Sequence, residues 1–293
     1  MKKILVISGK GGTGKTFFTA SLACLAGNKK VMVDCDVDAA NLYLLLHPDI
    51  KKAEVFKGSY EAEINQEKCI QCGKCLAICR FEAINAIKDK KGRTEKILID
   101  QFSCEGCGAC KYGCPVEAIQ LEKKESGKWF ISETKYGPFV FAKLGIAAEN
   151  SGKLVSKIKE ESYKIGEAQR ADYIIIDGPP GIGCPVIASM SGVDLALVVT
   201  EPTLSGMSDM QRVMEVAEFF GIETKVIINK YDINLENSKE IENICSEKNI
   251  EIAGRIPFSP EVAKSIVQAV PYIEFSGNDN ISLQIKTIWS KIS

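Results

Sequence analysis

Two groups of residues in this 293-residue chain have the types and spacing to do chemistry. One is a pair of cysteine quartets: Cys69-x2-Cys72-x2-Cys75-x3-Cys79, then Cys104-x2-Cys107-x2-Cys110-x3-Cys114 followed by Pro115. A [4Fe-4S] cubane needs four thiolates around it, and a loop with Cys at every third position can wrap three of its corners. The fourth Cys of each run is carried off by the helix that follows and closes the other cluster. On that rule one cluster takes Cys69, Cys72, Cys75 and Cys114, and the other takes Cys104, Cys107, Cys110 and Cys79. The second group lies upstream, where Gly9-Lys10-Gly11-Gly12-Thr13-Gly14-Lys15-Thr16 has the form G-x4-G-K-[ST]. In that form glycine backbone N–H groups cradle phosphates at the start of a helix. Lys15 is then placed to reach the β- and γ-phosphates, and Thr16 to ligand Mg²⁺. Gly11, Gly12, Thr13, Gly14 and Phe17 complete the expected nucleotide-contacting run.

Other uses of the cysteines fit less well. A disulfide framework needs an oxidising compartment, and Met-Lys-Lys runs straight into an apolar strand rather than a leader. Zinc sites more often show paired C-x2-C units across a longer gap. Unrelated core cysteines would not fall into register twice. The two halves also repeat beyond the cysteines, with Ala83-Ile84-Asn85 after Cys79 and Ala118-Ile119-Gln120 after Cys114. The segment thus resembles a bacterial-type ferredoxin with two [4Fe-4S] clusters. Arg80 departs from that pattern, standing where Pro usually follows the fourth Cys, but it removes no ligand.

The elements that must position these groups are legible in outline. Apolar runs at Lys3–Ser8, Lys30–Asp34, Tyr173–Asp177, Leu195–Thr200, Lys225–Asn229 and Ile250–Ile256 read as strands. Helices are expected at Thr16–Ala26, Ser205–Phe220, Leu235–Glu247 and Ser259–Ala269. The implied class is α/β: a P-loop NTPase with a mostly parallel sheet covered by helices on both faces. An α+β ferredoxin-like domain over 63–125 interrupts a discontinuous ATPase domain made of 1–62 and 126–293. Strand character returns over Gly127–Ser132.

Composition fits a cytoplasmic protein of one large and one small domain. The formal charge is −1, which leaves no footprint for nucleic acid, and 45% of residues are hydrophobic. No apolar run approaches the ~20 residues a membrane span requires. The single histidine, His47, sits in a leucine-rich stretch where a structural role is expected, so metal chemistry must rest on thiolates.

The second lysine of Lys10-Gly11-Gly12-Thr13-Gly14-Lys15-Thr16 makes the loop resemble the deviant Walker A motif of the superfamily containing MinD, ParA, Mrp and the nitrogenase iron protein. The resemblance implies that Lys10 crosses a dimer interface to a neighbour's ATP, so hydrolysis would require an ATP-dependent homodimer. Val33-Asp34-Cys35-Asp36-Val37-Asp38 resembles the first switch, with Asp36 orienting the attacking water and Asp34 supporting Mg²⁺. Asp177-Gly178-Pro179-Pro180-Gly181 resembles the second, with Asp177 holding Mg²⁺ through water. Asn229-Lys230 looks like the adenine-reading position, and Pro257-Phe258 like the other wall of that pocket. With an inserted ferredoxin, the chain resembles a subgroup found in anaerobic bacteria and archaea. Ser132–Pro138 and the tract Glu149-Asn150-Ser151-Gly152-Lys153 look characteristic of it.

Three functional classes follow. The preferred one is an ATP-gated electron carrier that docks a redox partner. The alternatives are a cluster-assembly ATPase of the Mrp type serving an iron–sulfur apo-protein, and a MinD/ParA-like positioning switch with structural or redox-sensing clusters. Two further features bear on these classes. Ile281, Ile285, Ile288, Trp289 and Ile292 share one face of a C-terminal helix that reads as closing the core rather than touching a membrane. Cys184 follows the second switch as a cluster-bridging cysteine does in the nitrogenase iron protein, without an evident second ligand.

Overall fold

The computed structural model describes residues 1–145 and 150–293; Glu149, part of the tract noted above, lies outside the described residues. The chain divides into two compact units. One comprises Met1–Glu54, Lys128–Leu144 and Ser151–Ser293, and the other Val55–Gly127 with Gly145–Asn150. The second unit begins at Val55 and runs to Gly127, past both ends of the 63–125 interval.

Strands β1 (Lys2–Ser8), β2 (Lys30–Asp34) and β3 (Asp49–Phe56) come first, then four short strands: β4 (Ser59–Ile64), β5 (Ile84–Lys88), β6 (Thr94–Ile99) and β7 (Ile119–Lys124). After them run β8 (Gly127–Thr134), β9 (Gly137–Leu144), β10 (Tyr173–Pro180), β11 (Leu195–Thr200), β12 (Glu223–Asn229) and β13 (Glu251–Ile256). The main sheet has the order β13-β12-β11-β1-β10-β2-β9-β8-β3, with every pairing from β13 to β9 parallel. β1 sits centrally, and Ile4, Leu5, Val6 and Ile7 are wholly buried, as a strand covered on both faces must be.

The helices are α1 (Lys15–Leu25), α2 (Leu42–Leu46), α3 (Lys74–Ile78), α4 (Ala109–Tyr112), α5 (Ser151–Gln169) and α6 (Cys184–Met190). They continue with α7 (Leu204–Phe219), α8 (Leu235–Glu247), α9 (Pro260–Val267), α10 (Tyr272–Ser276) and α11 (Asn280–Ile292). On one sheet face Ile4, Val6, Ile175 and Leu197 pack with Phe18 and Leu22 of α1 and with Ile285 and Ile288 of α11. Helices α5 to α8 pack on β2, β10, β11 and β12. The apolar stripe of α11 is thus spent on the core, and among the described residues no helix is long and apolar enough to cross a membrane.

The second unit is built from two antiparallel ribbons, β4–β7 and β5–β6, with α3 and α4 between the strands in sequence. Its buried core is small: Ala62, Cys75, Ile84, Ile97 and Ile119, joined by half-buried cysteines.

Candidate functional site

The phosphate loop runs from the end of β1 into α1. Gly14 caps the helix with φ 96°, a left-handed value that an L side chain resists. A Cβ there would also stand 2.6 Å from Asn229 Nδ2. That amide donates to Thr13 O at 2.8 Å, closing the loop on the tip of β12. Gly11 and Gly12 face open space, with nothing within 4 Å of where a Cβ would stand. Thr13 Oγ1 is buried without a hydrogen-bond partner, an orphaned donor that a phosphate oxygen would satisfy. Lys15 is buried at the start of α1. The arrangement fits an anion held by backbone N–H groups and a helix N-terminus.

The carboxylates sit at the ends of neighbouring strands, where Asp177 of β10 pairs in register with Asp34 of β2. Asp177 accepts from Thr16 Oγ1 at 2.7 Å and from Thr19 Oγ1 at 2.9 Å. Asp34 accepts from the backbone N–H groups of Asp36 (3.0 Å) and Leu42 (3.2 Å), so it also shapes the loop after β2. Burial pushes the Asp177 carboxyl up to about 6, against the lowering pull of Thr16 and Lys15. Asp34 is raised well above the ordinary carboxylate range by burial first and by Asp177 second. Two adjacent buried carboxylates beside the Thr16 hydroxyl concentrate negative charge and oxygen donors, which fits a divalent cation such as Mg²⁺. Asp36 is raised by burial too, and its Oδ1 accepts from Ala39 N at 3.3 Å.

Lys10 turns onto its own chain. Its Nζ donates to Thr203 Oγ1 (3.2 Å) and Ser205 Oγ (3.3 Å) and lies 3.7 Å from Glu201 Oε2. Lys230 pairs with the other oxygen of Glu201. Phe258 is half exposed, and its N–H donates to Asp232 Oδ1 at 2.6 Å, placing Pro257-Phe258 near the turn after β12. The side chain of Phe17 does not line the site, because it packs in the core edge-on to Phe18 and Tyr272, leaving only its backbone to the loop. Cys184 is exposed at the first residue of α6. Sequence reasoning missed Thr19, Glu201, Thr203 and Ser205. Glu201 had a signal, a carboxylate directly after a buried strand at the ligand-binding end of the sheet.

In the second unit the two cysteine runs share one backbone path. Gln71 and Gly106 have φ 57° and 61°, Gly73 and Gly108 73° and 79°, Glu82 and Glu117 53° and 51°. Two small cavities result, each of about 20 Å³. The first is lined by Cys69, Cys72, Cys75 and Cys114, the second by Cys104, Cys107, Cys110 and Cys79. Each cavity therefore takes three cysteines from one run and the last from the other. The Ala118 N–H donates to Cys114 Sγ at 3.3 Å. Burial pushes the Cys75 and Cys110 thiols up, and the other cysteines of each run add to it. Among the described residues no group of three or more His, Cys, Asp or Glu is arranged to hold a metal ion.

Fold and loop together define a P-loop nucleotide-binding protein. Residues 4–272 match the CobQ/CobB/MinD/ParA nucleotide binding domain, and the chain belongs to that family. It is 38% identical over 295 residues to an uncharacterized protein of Methanocaldococcus jannaschii, covering 99% of this chain and 96% of that one. It is 24% identical over 298 residues to the septum site-determining protein MinD of Thermotoga maritima, covering 99% and 87%. The fold is similar to that of MinD complexed with Mg-ADP from Pyrococcus horikoshii, with a TM-score of 0.58, 18% identity and coverage of 100% and 96%.

Proposed function

We propose that this chain is a Mg²⁺-dependent ATPase whose cysteine-rich unit is a two-cluster ferredoxin domain, and that nucleotide turnover governs electron transfer to a redox partner. The observation that carries the reading is the crossed lining of the two cavities, three cysteines from one run and the fourth from the other. A cubane keeps its thiolates apart around an inorganic core, so its ligands need not converge as those of a single ion do. Bound there, two [4Fe-4S] clusters would supply one-electron transfer. Lys15 would neutralise phosphate charge, Thr16 and, through water, Asp177 would hold Mg²⁺, and Asp34 would support the Mg²⁺ and loop region. Asp36 orients the attacking water, and Lys10 reaches the phosphates of a second copy in an ATP-dependent homodimer. Asn229, Lys230, Pro257 and Phe258 hold the adenine.

Iron and sulfide analysis of anaerobically prepared protein, with electron paramagnetic resonance after reduction, tests the clusters. Close to eight iron atoms per chain are expected, as two cubanes require; zinc, or iron for one cluster after full reconstitution, sinks the assignment. Cluster midpoints without nucleotide, with ADP and with a slowly hydrolysed ATP analogue test the coupling. By linkage, any shift must be matched by a redox-dependent change in nucleotide affinity. The similarity to MinD favours a second reading, a positioning switch in which the clusters are structural or redox-sensing. Midpoints indifferent to nucleotide would put that reading first.

A further inference from the structure

The connection from β11 to α7 carries a residue that the proposed ATPase chemistry does not use. Glu201 lies just past the end of β11, with its side chain only 14% exposed. One carboxylate oxygen is 3.7 Å from Lys10 Nζ, and the other pairs with Lys230 Nζ. The remaining partners of Lys10 are neutral: the hydroxyls of Thr203 and Ser205. Thr203 is also committed to capping α7, accepting from Gly206 N at 3.0 Å. Among the described residues that hold Lys10 on its own chain, Glu201 is therefore the one bearing an opposing charge. A lysine that is to reach phosphates elsewhere must leave this carboxylate first. The cost of leaving depends on how fully the carboxylate is engaged by its other lysine.

We propose that Glu201 is a positioning residue that parks Lys10 on its own chain and is shared with Lys230 of the base-binding turn. The occupancy of this one carboxylate sets how readily Lys10 is released to a second copy. This rests on the cross-chain role given to Lys10 above. Lys230 competes with Lys10 for Glu201, so the turn that holds the base and the lysine that completes the neighbour's site are tied through a single charge. Loss of the carboxylate releases Lys10. Loss of Lys230 leaves the carboxylate wholly to Lys10 and tightens the parking.

The test uses the full chain with Glu201→Gln, which keeps size and one acceptor oxygen but removes the charge, and Lys230→Met, which removes the competitor. Two quantities are read. One is the rate of acetylation of the Lys10 amine by acetic anhydride, followed by mass spectrometry on the nucleotide-free protein. The other is the protein concentration giving half-maximal ATPase activity per chain at saturating ATP. Glu201→Gln should speed labelling and lower the half-maximal concentration about fivefold, the scale of one partly exposed ion pair. Lys230→Met should shift both the opposite way. A merely structural role would move the two variants in the same direction, and that result overturns the proposal. Unchanged Lys10 labelling in Glu201→Gln beside concentration-dependent wild-type hydrolysis also overturns it, leaving the cross-chain role standing. Faster labelling with hydrolysis per chain independent of concentration in the wild type overturns the cross-chain role, and the proposal with it.

Discussion

The nucleotide unit assembles its site from distant parts of the chain, whereas the cysteine unit draws its proposed cluster site from one short stretch. The hydrogen bonds from Thr16 to Asp177 and from Asn229 to Thr13 span 161 and 216 residues, and a sheet of buried aliphatic strands holds their ends in place. In the second unit the cysteines belong to the core itself, beside a handful of alanine and isoleucine side chains. The first site is a passenger on a stable scaffold. The cysteines of the second are part of its unit's packing, and so small an apolar core offers little stabilisation by itself.

The largest expected effect exploits that contrast. Removing the iron of the proposed clusters should open 55–127 to proteolysis, because structural metal binding and folding are one equilibrium. Nucleotide affinity of the first unit should persist in the same sample. Limited proteolysis with mass mapping checks it, and an iron-free second unit as resistant as the loaded one would show that its core is self-sufficient. Next in size, Lys15→Ala should weaken ATP binding roughly a thousandfold, the scale of removing one partner from a desolvated charge pair. Iron content should be unchanged. Titration with a fluorescent nucleotide reads the affinity, and a loss below tenfold would mean that the loop is not the phosphate site.

A smaller effect follows from the buried carboxylates. The Asp177 carboxyl is raised from 3.8 to about 6 in the folded chain. Its contribution to nucleotide-free stability is therefore fully present below about 3.8 and lost as pH rises through about 6. The loss amounts to about 3 kcal/mol. Denaturant titrations across that window should show the decline, and Asp177→Asn should flatten it while weakening Mg²⁺-dependent nucleotide binding. Mg-nucleotide should bind more tightly as pH rises through the same range, because the cation displaces the proton. A nucleotide-free protein that gains stability from pH 4 to 6 by an amount Asp177→Asn removes would reverse the assignment.

The sequence was most legible where a local rule suffices. The six strands from β1 to β13 that read as apolar runs stand where expected, since burial on both faces forces continuous hydrophobicity. β3 was invisible because its residues are nearly all exposed and carry Asp49, Lys51, Lys52 and Glu54, the composition of an edge strand. α5 has only a sparse core stripe, Leu154, Val155 and Ile158, among many charged residues, which leaves little signal in the sequence. Its key feature lies beyond any pattern: the buried ammonium of Lys159 donates to the carbonyls of Ala188, Ser189 and Ser191 at the end of α6. Burial lowers that lysine to about 8. Asp34 and Asp177 were readable as strand-end acids, but their shared burial is a fact of register. Glu201 gains meaning only when Lys10 and Lys230 arrive on either side of it.

The smallest prediction returns to the repeat inside the cysteine unit. Gln71 and Gly106 occupy equivalent left-handed positions, at φ 57° and 61°. The left-handed region costs an L residue roughly 1–2 kcal/mol, and glycine nothing. Gln71→Gly should therefore stabilise the unit, by about 0.5–1 kcal/mol once the greater freedom of glycine in the unfolded chain is subtracted. Gly106→Ala should destabilise by more, because its Cβ would stand 2.0 Å from Tyr60 O as well as bearing the backbone strain. The temperature at which cluster absorbance is lost, at one fixed scan rate for the iron-loaded protein, reads both signs. If Gln71→Gly lowers that temperature, the Gln71 side chain is holding its loop, and the two halves differ in what secures them although they share these left-handed positions.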